Sequence, residues 1–179
     1  MSWVLAGAER VLVDSERMRV ACVKLGSKKV EVSQYGVDTN KCLAADVNHE
    51  RTKIVSNRGI EENYRINHII SSRNATASKL PITFIYPLSD LGYYRDFLSK
   101  LDAKDRNLGT ISKDDCYKLY AKASLVISIP ISDSSPRSVY EAIFCGAPVA
   151  TVYSPWIDNL PKSMRDRVVV LNNLHLLFL

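Results

Sequence analysis

Residues 124–153, SLVISIPISDSSPRSVYEAIFCGAPVATVY, contain the segment that decides the fold. A short apolar run rich in β-branched residues predicts a buried strand, and the residues after it predict an amphipathic helix that ends at Gly146. The apolar run after the glycine predicts another strand. A strand, a helix and a strand in this order indicate a β-α-β unit, in which the two strands lie parallel and the helix packs on the sheet.

The same alternation extends along much of the chain. KIVS, LPITFIY, RNLG and RVVVL predict further strands, and amphipathic helices follow the first three of them. Residues 53–171 are therefore predicted to form a doubly wound parallel α/β sheet of the Rossmann-like kind, with helices on both faces. Upstream, RVLV and KKVEVS predict two strands around a helix capped by Asp14 or Ser15, which together form a small N-terminal remnant. Residues 40–52 lack clear periodicity and are predicted to be a connector.

The composition is that of a globular protein. The chain has 179 residues, of which 46% are hydrophobic and 24% are charged, so a real core can form. The four cysteines show no metal-ligand spacing, which favours reduced thiols in the cytoplasm. No apolar run approaches the roughly 18 residues of a membrane helix. The net charge of +5 suits an anionic ligand or an acidic membrane surface, and the basic residues are scattered rather than clustered into a nucleic-acid-binding patch.

The loop and helix start within the quoted segment have the features of an anion site. Ligands of open α/β sheets lie outside the carboxyl ends of the strands, which is where ISDSSP falls. Ser134 or Ser135 can cap the helix, and Pro136 can occupy its first position. The backbone N–H groups near Arg137 and Ser138 then face solvent at the positive end of the helix dipole, an environment that binds phosphate.

Two carboxylates flank this predicted anion site. Asp133 lies in the loop, and Glu141 follows eight residues later, where its side chain can lean back toward the helix N-terminus. Amides that bind phosphates, together with carboxylates that accept from hydroxyls, suit a sugar nucleotide better than a bare anion. The alternative is that both acids only stabilise the helix N-terminus, where acidic residues are common.

The segment resembles the nucleotide-binding half of retaining glycosyltransferases of the GT-B fold, family four, also called glycosyl transferases group 1. Their signature is an acid, seven residues and a glutamate within a pattern like E-G-x-P-x-S-x-x-E-A-x-A-x-G-x-P-V, and this chain has D-S-S-P-R-S-V-Y-E-A-I-F-C-G-A-P-V. The resemblance covers nearly the whole chain. It implies that residues 1–45 are the tail of the N-terminal domain with the interdomain crossover, and that residues 46–179 are the donor-binding C-terminal domain without its last helix.

The resemblance implies a catalytic set of Arg58, Asp133 and Glu141. Glu141 would bind the ribose of the donor nucleotide, Asp133 the donor sugar and Arg58 the diphosphate. The lysine that the family carries about five residues after this arginine falls at non-basic residues here, so Arg65 is the candidate substitute. The remaining implied binding residues lie near the phosphates or in the loop that holds the base: Ser135, Arg137, Ser138, Thr110 and Ile111.

The implied reaction is transfer of a sugar from a nucleotide diphosphate sugar to an acceptor with retention, in polysaccharide or glycoconjugate synthesis. No cofactor and no metal are expected, because basic groups stabilise the leaving diphosphate and the sequence has no D-x-D motif. The expected partners are the nucleotide-sugar donor and an N-terminal acceptor domain or partner chain, and nucleic acid is not expected. The expected location is the cytoplasm, with peripheral membrane association left open.

Two alternatives stay open. The first is a nucleotide-sugar-binding module that is inactive or depends on a partner subunit. The second is a GT-B-like sugar-nucleotide epimerase, which the spacing of the two carboxylates fits poorly. The non-basic residues at the lysine position of the family and the near absence of the N-terminal acceptor domain favour the first alternative. Three further departures from the family pattern are that the first acid is Asp rather than Glu, that Ser134 stands where the family has glycine, and that IYPLSDLG replaces a glycine-rich loop.

Overall fold

A computed structural model describes residues 2–34, 36–45, 50–77 and 79–172. The chain divides into two compact units. The first unit comprises Met1–Val37 and Asp133–Arg137, and the second comprises Asp38–Ser132 and Ser138–Leu179. The assignment of residues 1–45 and 46–179 to two domains of a larger enzyme stays a prediction.

The first unit contains a pair of parallel strands. Its elements in chain order are α1 (Ser2–Gly7), β1 (Val11–Val13), α2 (Glu16–Lys24) and β2 (Val30–Val32). β1 and β2 pair with Val11 opposite Val30. Ser15 caps α2, because its Oγ accepts a hydrogen bond from the N–H of Met18 at 3.3 Å. Both strands and the helix between them agree with the sequence prediction.

The second unit is built on a parallel sheet. Its strands are β3 (Lys53–Ser56), β4 (Ile82–Ile85), β5 (Arg106–Gly109), β6 (Ala123–Ser128), β7 (Val149–Thr151) and β8 (Val168–Val170). Among the described residues, these six strands lie in the order β5-β4-β3-β6-β7-β8. Counted from β3, this is the 3-2-1-4-5-6 order of doubly wound folds. The predicted α/β fold with a parallel sheet is confirmed.

Helices flank the strands of this sheet. α3 (Thr39–Ala45) precedes β3, and the helices between the strands are α4 (Ile66–Asn74), α5 (Leu91–Lys100), α6 (Lys113–Ala121), α7 (Arg137–Phe144) and α8 (Lys162–Arg165). Because β-α-β crossovers are right-handed, the strand order puts α4 and α5 on one face and α6 and α7 on the other. α4 packs against α5, and α3 packs against α6.

The core lies between the sheet and the α4–α5 layer. All four residues of β4 are buried, as expected for a strand covered on both faces. The rings of Phe84 in β4 and Phe97 in α5 meet edge to face with their centres 5.0 Å apart. No helix in the described ranges is long and apolar enough to cross a membrane.

Two sequence predictions of local structure are wrong. Residues 40–52 were predicted as a connector, but α3 occupies Thr39–Ala45. The reason is a cap that the sequence analysis did not consider: Asp38 Oδ1 accepts from the N–H of Lys41 at 3.1 Å. Residues 46–49 of that stretch lie outside the described residues.

The stretch EENYRINHIISS was predicted as one helix and is divided in two. A 3-10 turn at Glu62–Tyr64 is followed by Arg65 in the left-handed region, with φ of 51°, and α4 then begins at Ile66. The carbonyl of Asn63 accepts from the N–H of Ile131 at 2.7 Å. This tertiary bond holds Asn63 in the turn and so favours the break that precedes α4.

Candidate functional site

A cavity of about 390 Å³ lies at the carboxyl edge of the sheet in the second unit. Its walls come from the segments that follow β3, β4 and β5 and from helices α6 and α7. β3 and β6, adjacent in the sheet, mark the point where the strand order reverses. Open α/β sheets bind ligands at such a switch point, and the volume is typical of small-molecule sites. The cavity is therefore the candidate functional site.

Glu141 contributes a buried carboxylate to this cavity. Its side chain is 1% exposed, and both carboxylate oxygens accept hydrogen bonds from Nζ of Lys113 at 2.7 Å. α7 holds Glu141 in place because Val139, Ala142 and Ile143 of the same helix are buried. An ionised carboxylate persists in such surroundings when it is paired and hydrogen-bonded.

Lys113 reaches Glu141 from the first residue of α6. Ser112 caps this helix, since its Oγ accepts from the N–H of Asp115 at 3.1 Å and donates to Oδ2 of Asp115 at 2.7 Å. The side chain of Lys113 is 55% exposed. The ion pair therefore joins a buried carboxylate to a lysine whose side chain is partly exposed.

Arg58 lies two residues after the end of β3 and also lines the cavity. Its Nη1 donates to Oγ of Ser138 at 3.0 Å, and its guanidinium lies 4.4 Å from the centre of the Tyr64 ring. Nδ2 of Asn57 donates to the backbone oxygen of Ser138 at 3.1 Å and to the hydroxyl of Tyr120 at 3.3 Å. The residues after β3 are thus fastened to the first turn of α7.

Gly59 allows the Tyr64 ring to approach the backbone beside Arg58. A Cβ atom at Gly59 would lie 3.1 Å from Cε2 of Tyr64 and 3.3 Å from Oε1 of Glu61. These distances are shorter than ordinary van der Waals contact, so a side chain at this position requires the ring to shift. Glycine therefore helps to set the cation–π contact of Arg58.

The loop after β4 is tied to the loop after β3. The N–H of Ile60 donates to the carbonyl of Leu88, and the N–H of Asp90 donates to the carbonyl of Ile60, each at 3.0 Å. Tyr86, Pro87 and Leu88 line the cavity. The stretch IYPLSDLG, where the sequence resemblance leads one to expect a glycine-rich loop, therefore forms a wall of the cavity.

Thr110 and Ile111 line the cavity after β5. Gly109 has φ of +61°, a conformation that glycine adopts readily, and the chain turns there. The carbonyl of Gly109 accepts from the N–H of Tyr86 at 3.0 Å, and the hydroxyl of Thr110 donates to the carbonyl of Tyr86 at 3.2 Å. These bonds join the ends of β4 and β5 into one wall.

The phenol and thiol nearest the ion pair are neutral at pH 7. Burial raises the pKa of the Tyr120 hydroxyl, and the negative charge of Glu141 adds to this effect. Burial also raises the pKa of the Cys116 thiol, with Lys113 opposing the shift and Glu141 reinforcing it. The charged side chains that line the cavity are two cations and two carboxylates: Arg58, Lys113, Glu61 and Glu141.

Five of the residues predicted from sequence line this cavity: Arg58, Thr110, Ile111, Ser138 and Glu141. Arg65 also belongs to the second unit, but it lies between the 3-10 turn and α4 and is not among the lining residues. What each of these residues binds stays a prediction.

Three predicted residues belong to the first unit, namely Asp133, Ser135 and Arg137. The N–H of Arg137 donates to the carbonyl of Ser135 at 2.9 Å. α7 begins at Arg137, one residue later than predicted, and Gly146 after its end has φ of +81°, as the predicted helix stop requires. The ligand roles of the three residues stay predictions.

The sequence analysis missed Asn57, Tyr64 and Lys113 as cavity residues. A signal was available for Lys113, because it starts a capped helix directly after a predicted strand. No sequence signal marks its pairing with Glu141, since 28 residues separate the two. In the described part of the chain, no group of three His, Cys, Asp or Glu side chains is arranged to hold a metal ion. The expectation that no metal is needed stays a prediction.

No family model and no curated protein matches the sequence. Solved structures do match. HepE of Anabaena in complex with UDP and glucose has a TM-score of 0.69 and 17% identity, over 87% of this chain and 47% of that chain. A TarM mutant of S. aureus in complex with fondaparinux, alpha-GlcNAc-glycerol and UDP has a TM-score of 0.71 and 16% identity, over 96% and 36%. AviGT4, a glycosyltransferase involved in avilamycin A biosynthesis, has a TM-score of 0.60 and 17% identity, over 79% and 43%.

The chain spans less than half the length of each of these three structures. At such low identity, the similarity concerns the fold. The chain shares the Rossmann-like, GT-B-type α/β fold of these structures, in which its six-stranded parallel sheet carries the cavity at the switch point.

Proposed function

We propose that this chain is the donor-binding part of a GT-B glycosyltransferase of the retaining kind. It binds a nucleotide diphosphate sugar and transfers the sugar with retention to an acceptor, in polysaccharide or glycoconjugate synthesis. The acceptor site comes from an acceptor domain or partner chain. The proposed location is the cytoplasm, where the excess of basic residues leaves association with an acidic membrane surface open.

One observation carries this proposal. Arg58 and Glu141 line the same cavity, at the switch point of a 3-2-1-4-5-6 sheet. A guanidinium binds phosphate oxygens through its fixed fork of donors, and a buried carboxylate accepts hydrogen bonds from vicinal hydroxyls. These two groups can therefore bind the diphosphate and the ribose hydroxyls of one nucleoside diphosphate. The presence of UDP in the HepE and TarM structures supports the same ligand class.

The proposed roles are those that the sequence resemblance implies, assigned to residues that line the cavity. Arg58 binds the diphosphate, together with the backbone N–H at Ser138 in the first turn of α7. Glu141 binds the ribose, and the wall formed by Thr110 and Ile111 holds the base. Sugar transfer then needs no protein nucleophile, because the main task is to stabilise the negative charge that develops on the leaving diphosphate. The roles of Arg65, Asp133, Ser135 and Arg137 rest on the sequence resemblance.

Calorimetric titration tests this proposal. Folded protein is titrated with UDP-, GDP- and ADP-sugars, and with inorganic pyrophosphate as a control that lacks ribose and base. We expect binding of at least one nucleotide sugar that is clearly tighter than that of pyrophosphate. If none of the nucleotide sugars binds to a folded sample, the proposal is wrong.

A second candidate is a nucleotide-sugar-binding module that transfers sugar only with a partner chain, or not at all. The observation that favours it is the second basic position of the family pattern, which falls at the non-basic Asn63 or Tyr64 in this chain. Hydrolysis or transfer assays separate the two candidates. Binding without transfer, even after a candidate acceptor domain is added, favours the module.

A further inference from the structure

Lys113 has no assigned role in the proposed reaction, although it contacts Glu141, the carboxylate that is proposed to bind the ribose. Its Nζ lies 2.7 Å from each oxygen of Glu141, so one ammonium group spans the whole carboxylate. The side chain of Glu141 is 1% exposed, whereas that of Lys113 is 55% exposed. The pair thus combines a fixed, desolvated acid with a cation at the accessible side of the cavity.

The neighbours of Glu141 explain why this cation matters. Three neutral groups surround the carboxylate: the thiol of Cys42 on α3, and the thiol of Cys116 and the phenol of Tyr120 on α6. Burial is the largest cause that raises the pKa of each of these groups, and the negative charge of Glu141 raises it further. Such groups screen a buried charge weakly, so its desolvation needs an opposite charge.

Two other charged side chains line the cavity. The guanidinium of Arg58 donates to Oγ of Ser138 and lies over the Tyr64 ring. Glu61 carries a negative charge. The bidentate contact identifies Lys113 as a group that compensates the charge of Glu141.

We propose that Lys113 is a positioning residue for Glu141, whose carboxylate it holds in place so that it can accept hydrogen bonds from the hydroxyls of a bound nucleotide. This inference rests on the proposed function, which makes Glu141 the acceptor for the ribose. A carboxylate has about four lone-pair sites, so pairing with one ammonium does not use up its capacity to accept. Without Lys113, the carboxylate loses the contact that spans both of its oxygens, and its orientation toward a bound hydroxyl is no longer fixed.

The first test is calorimetric binding of UDP to the wild type and to four variants: Lys113→Met, Lys113→Arg, Glu141→Gln and the double variant Lys113→Met/Glu141→Gln. We expect Lys113→Met to weaken UDP binding by about 10-fold near pH 7, the scale of a lost charged interaction. Lys113→Arg keeps the charge and should stay within about 3-fold of the wild type. In the Glu141→Gln background, Lys113→Met should change the affinity by less than about 2-fold, because a positioning residue has nothing left to position.

The second test needs no ligand. Urea unfolding of the same variants is measured near pH 7 as a double-mutant cycle. We expect Lys113→Met to destabilise the protein, because it leaves the buried carboxylate of Glu141 without its cation. In the Glu141→Gln background this loss of stability should disappear.

The outcomes separate the two proposals. If Lys113→Met binds UDP as tightly as the wild type, or more tightly, Lys113 does not position Glu141 for the ligand and the inference is wrong. The inference is equally wrong if the loss of stability in Lys113→Met does not depend on Glu141. If the wild type binds no nucleotide, the proposed function fails and the ligand part of the inference fails with it, while the unfolding test still decides whether Lys113 and Glu141 stabilise each other.

Discussion

Arg73 and Asp105 form a bidentate ion pair in which neither side chain has exposed surface. Nη1 and Nη2 of Arg73 donate to the two carboxylate oxygens at 2.7 and 3.0 Å. The same carboxylate accepts from the N–H groups of Ile82 at 2.8 Å and Asp102 at 2.9 Å. One buried acid therefore links the end of α4, the start of β4 and the turn before β5, at the amino edge of the sheet that is opposite to the cavity.

Replacement of Arg73 by Met is expected to destabilise the protein by about 3–5 kcal/mol, because it leaves the carboxylate of Asp105 buried without its cation. Urea unfolding near pH 7 measures the loss. The matched control is Lys100→Met, which removes the partner of Asp96 in an exposed pair on α5 and should cost less than about 1 kcal/mol. Equal losses in the two variants would contradict the structural role given to Arg73.

The contribution of Asp105 to stability should depend on pH. Burial by itself raises the pKa of this carboxyl, but the hydrogen bonds from Arg73 and from the N–H groups of Ile82 and Asp102 outweigh it and lower the pKa. The stabilisation is therefore present above the unfolded pKa of about 4 and is lost as the pH falls through the lower folded pKa. We expect the difference in unfolding free energy between the wild type and Asp105→Asn to shrink below about pH 4. A difference that grows in acid would refute the assignment.

Replacement of Glu141 by Ala is expected to weaken binding of the nucleotide sugar by about 1–3 kcal/mol, the scale of a lost charged hydrogen bond. Calorimetry with the donor that binds the wild type best gives the value. Glu16→Ala is the control, since this exposed acid on α2 pairs with Arg19 of the same helix and should leave the affinity unchanged. Wild-type affinity in Glu141→Ala would remove Glu141 from the site.

Replacement of Tyr64 by Leu should weaken nucleotide binding by about 5-fold, because it removes the ring that holds the guanidinium of Arg58. Tyr64→Phe keeps the ring and should bind like the wild type. The two variants are compared by calorimetry at low and high salt. A similar loss in Phe and Leu would indicate that the hydroxyl, rather than the cation–π contact, is what matters.

Gly146→Ala should destabilise the protein by about 1 kcal/mol, since Gly146 adopts φ of +81° after the last turn of α7. Gly146→Asn should lose less, because asparagine tolerates the left-handed region better than alanine does. Thermal unfolding compares the two variants. An Ala variant as stable as the wild type would mean that the backbone there can relax.

Much of the fold could be predicted from local patterns. The strands of the second unit and the capped helices α5 and α6 coincide with short apolar runs and with Asp90 and Ser112 as caps. The break at Arg65 could not be predicted in this way. The stretch around it has helical periodicity, and what interrupts it is a hydrogen bond from Ile131, 68 residues away, to the carbonyl of Asn63.

The same distinction between local sequence patterns and tertiary contacts applies to the candidate site. Glu141 and Arg58 could be selected from sequence, because each stands in a local pattern: one in a capped helix and one directly after a strand. Lys113 and Asn57 stand in similar local patterns, one at the start of a capped helix and one directly after a strand, but only their tertiary contacts, like those of Tyr64, mark them as cavity residues. Ser138 was expected to offer a backbone amide, and the structure adds that its side chain and carbonyl also fasten the end of β3.

By itself, the amino-acid sequence determined the alternation of strands and helices, because the hydrophobic period and the capping residues act over a few neighbouring positions. Only the tertiary structure decided which polar groups meet in the cavity, since the order of strands in the sheet brings together segments that are far apart in the chain. The pairing of Lys113 with Glu141 exists because β5 leads into α6 and β6 leads into α7 at one edge of the same sheet. Because Glu141 is buried, loss of that single ionic contact is costly.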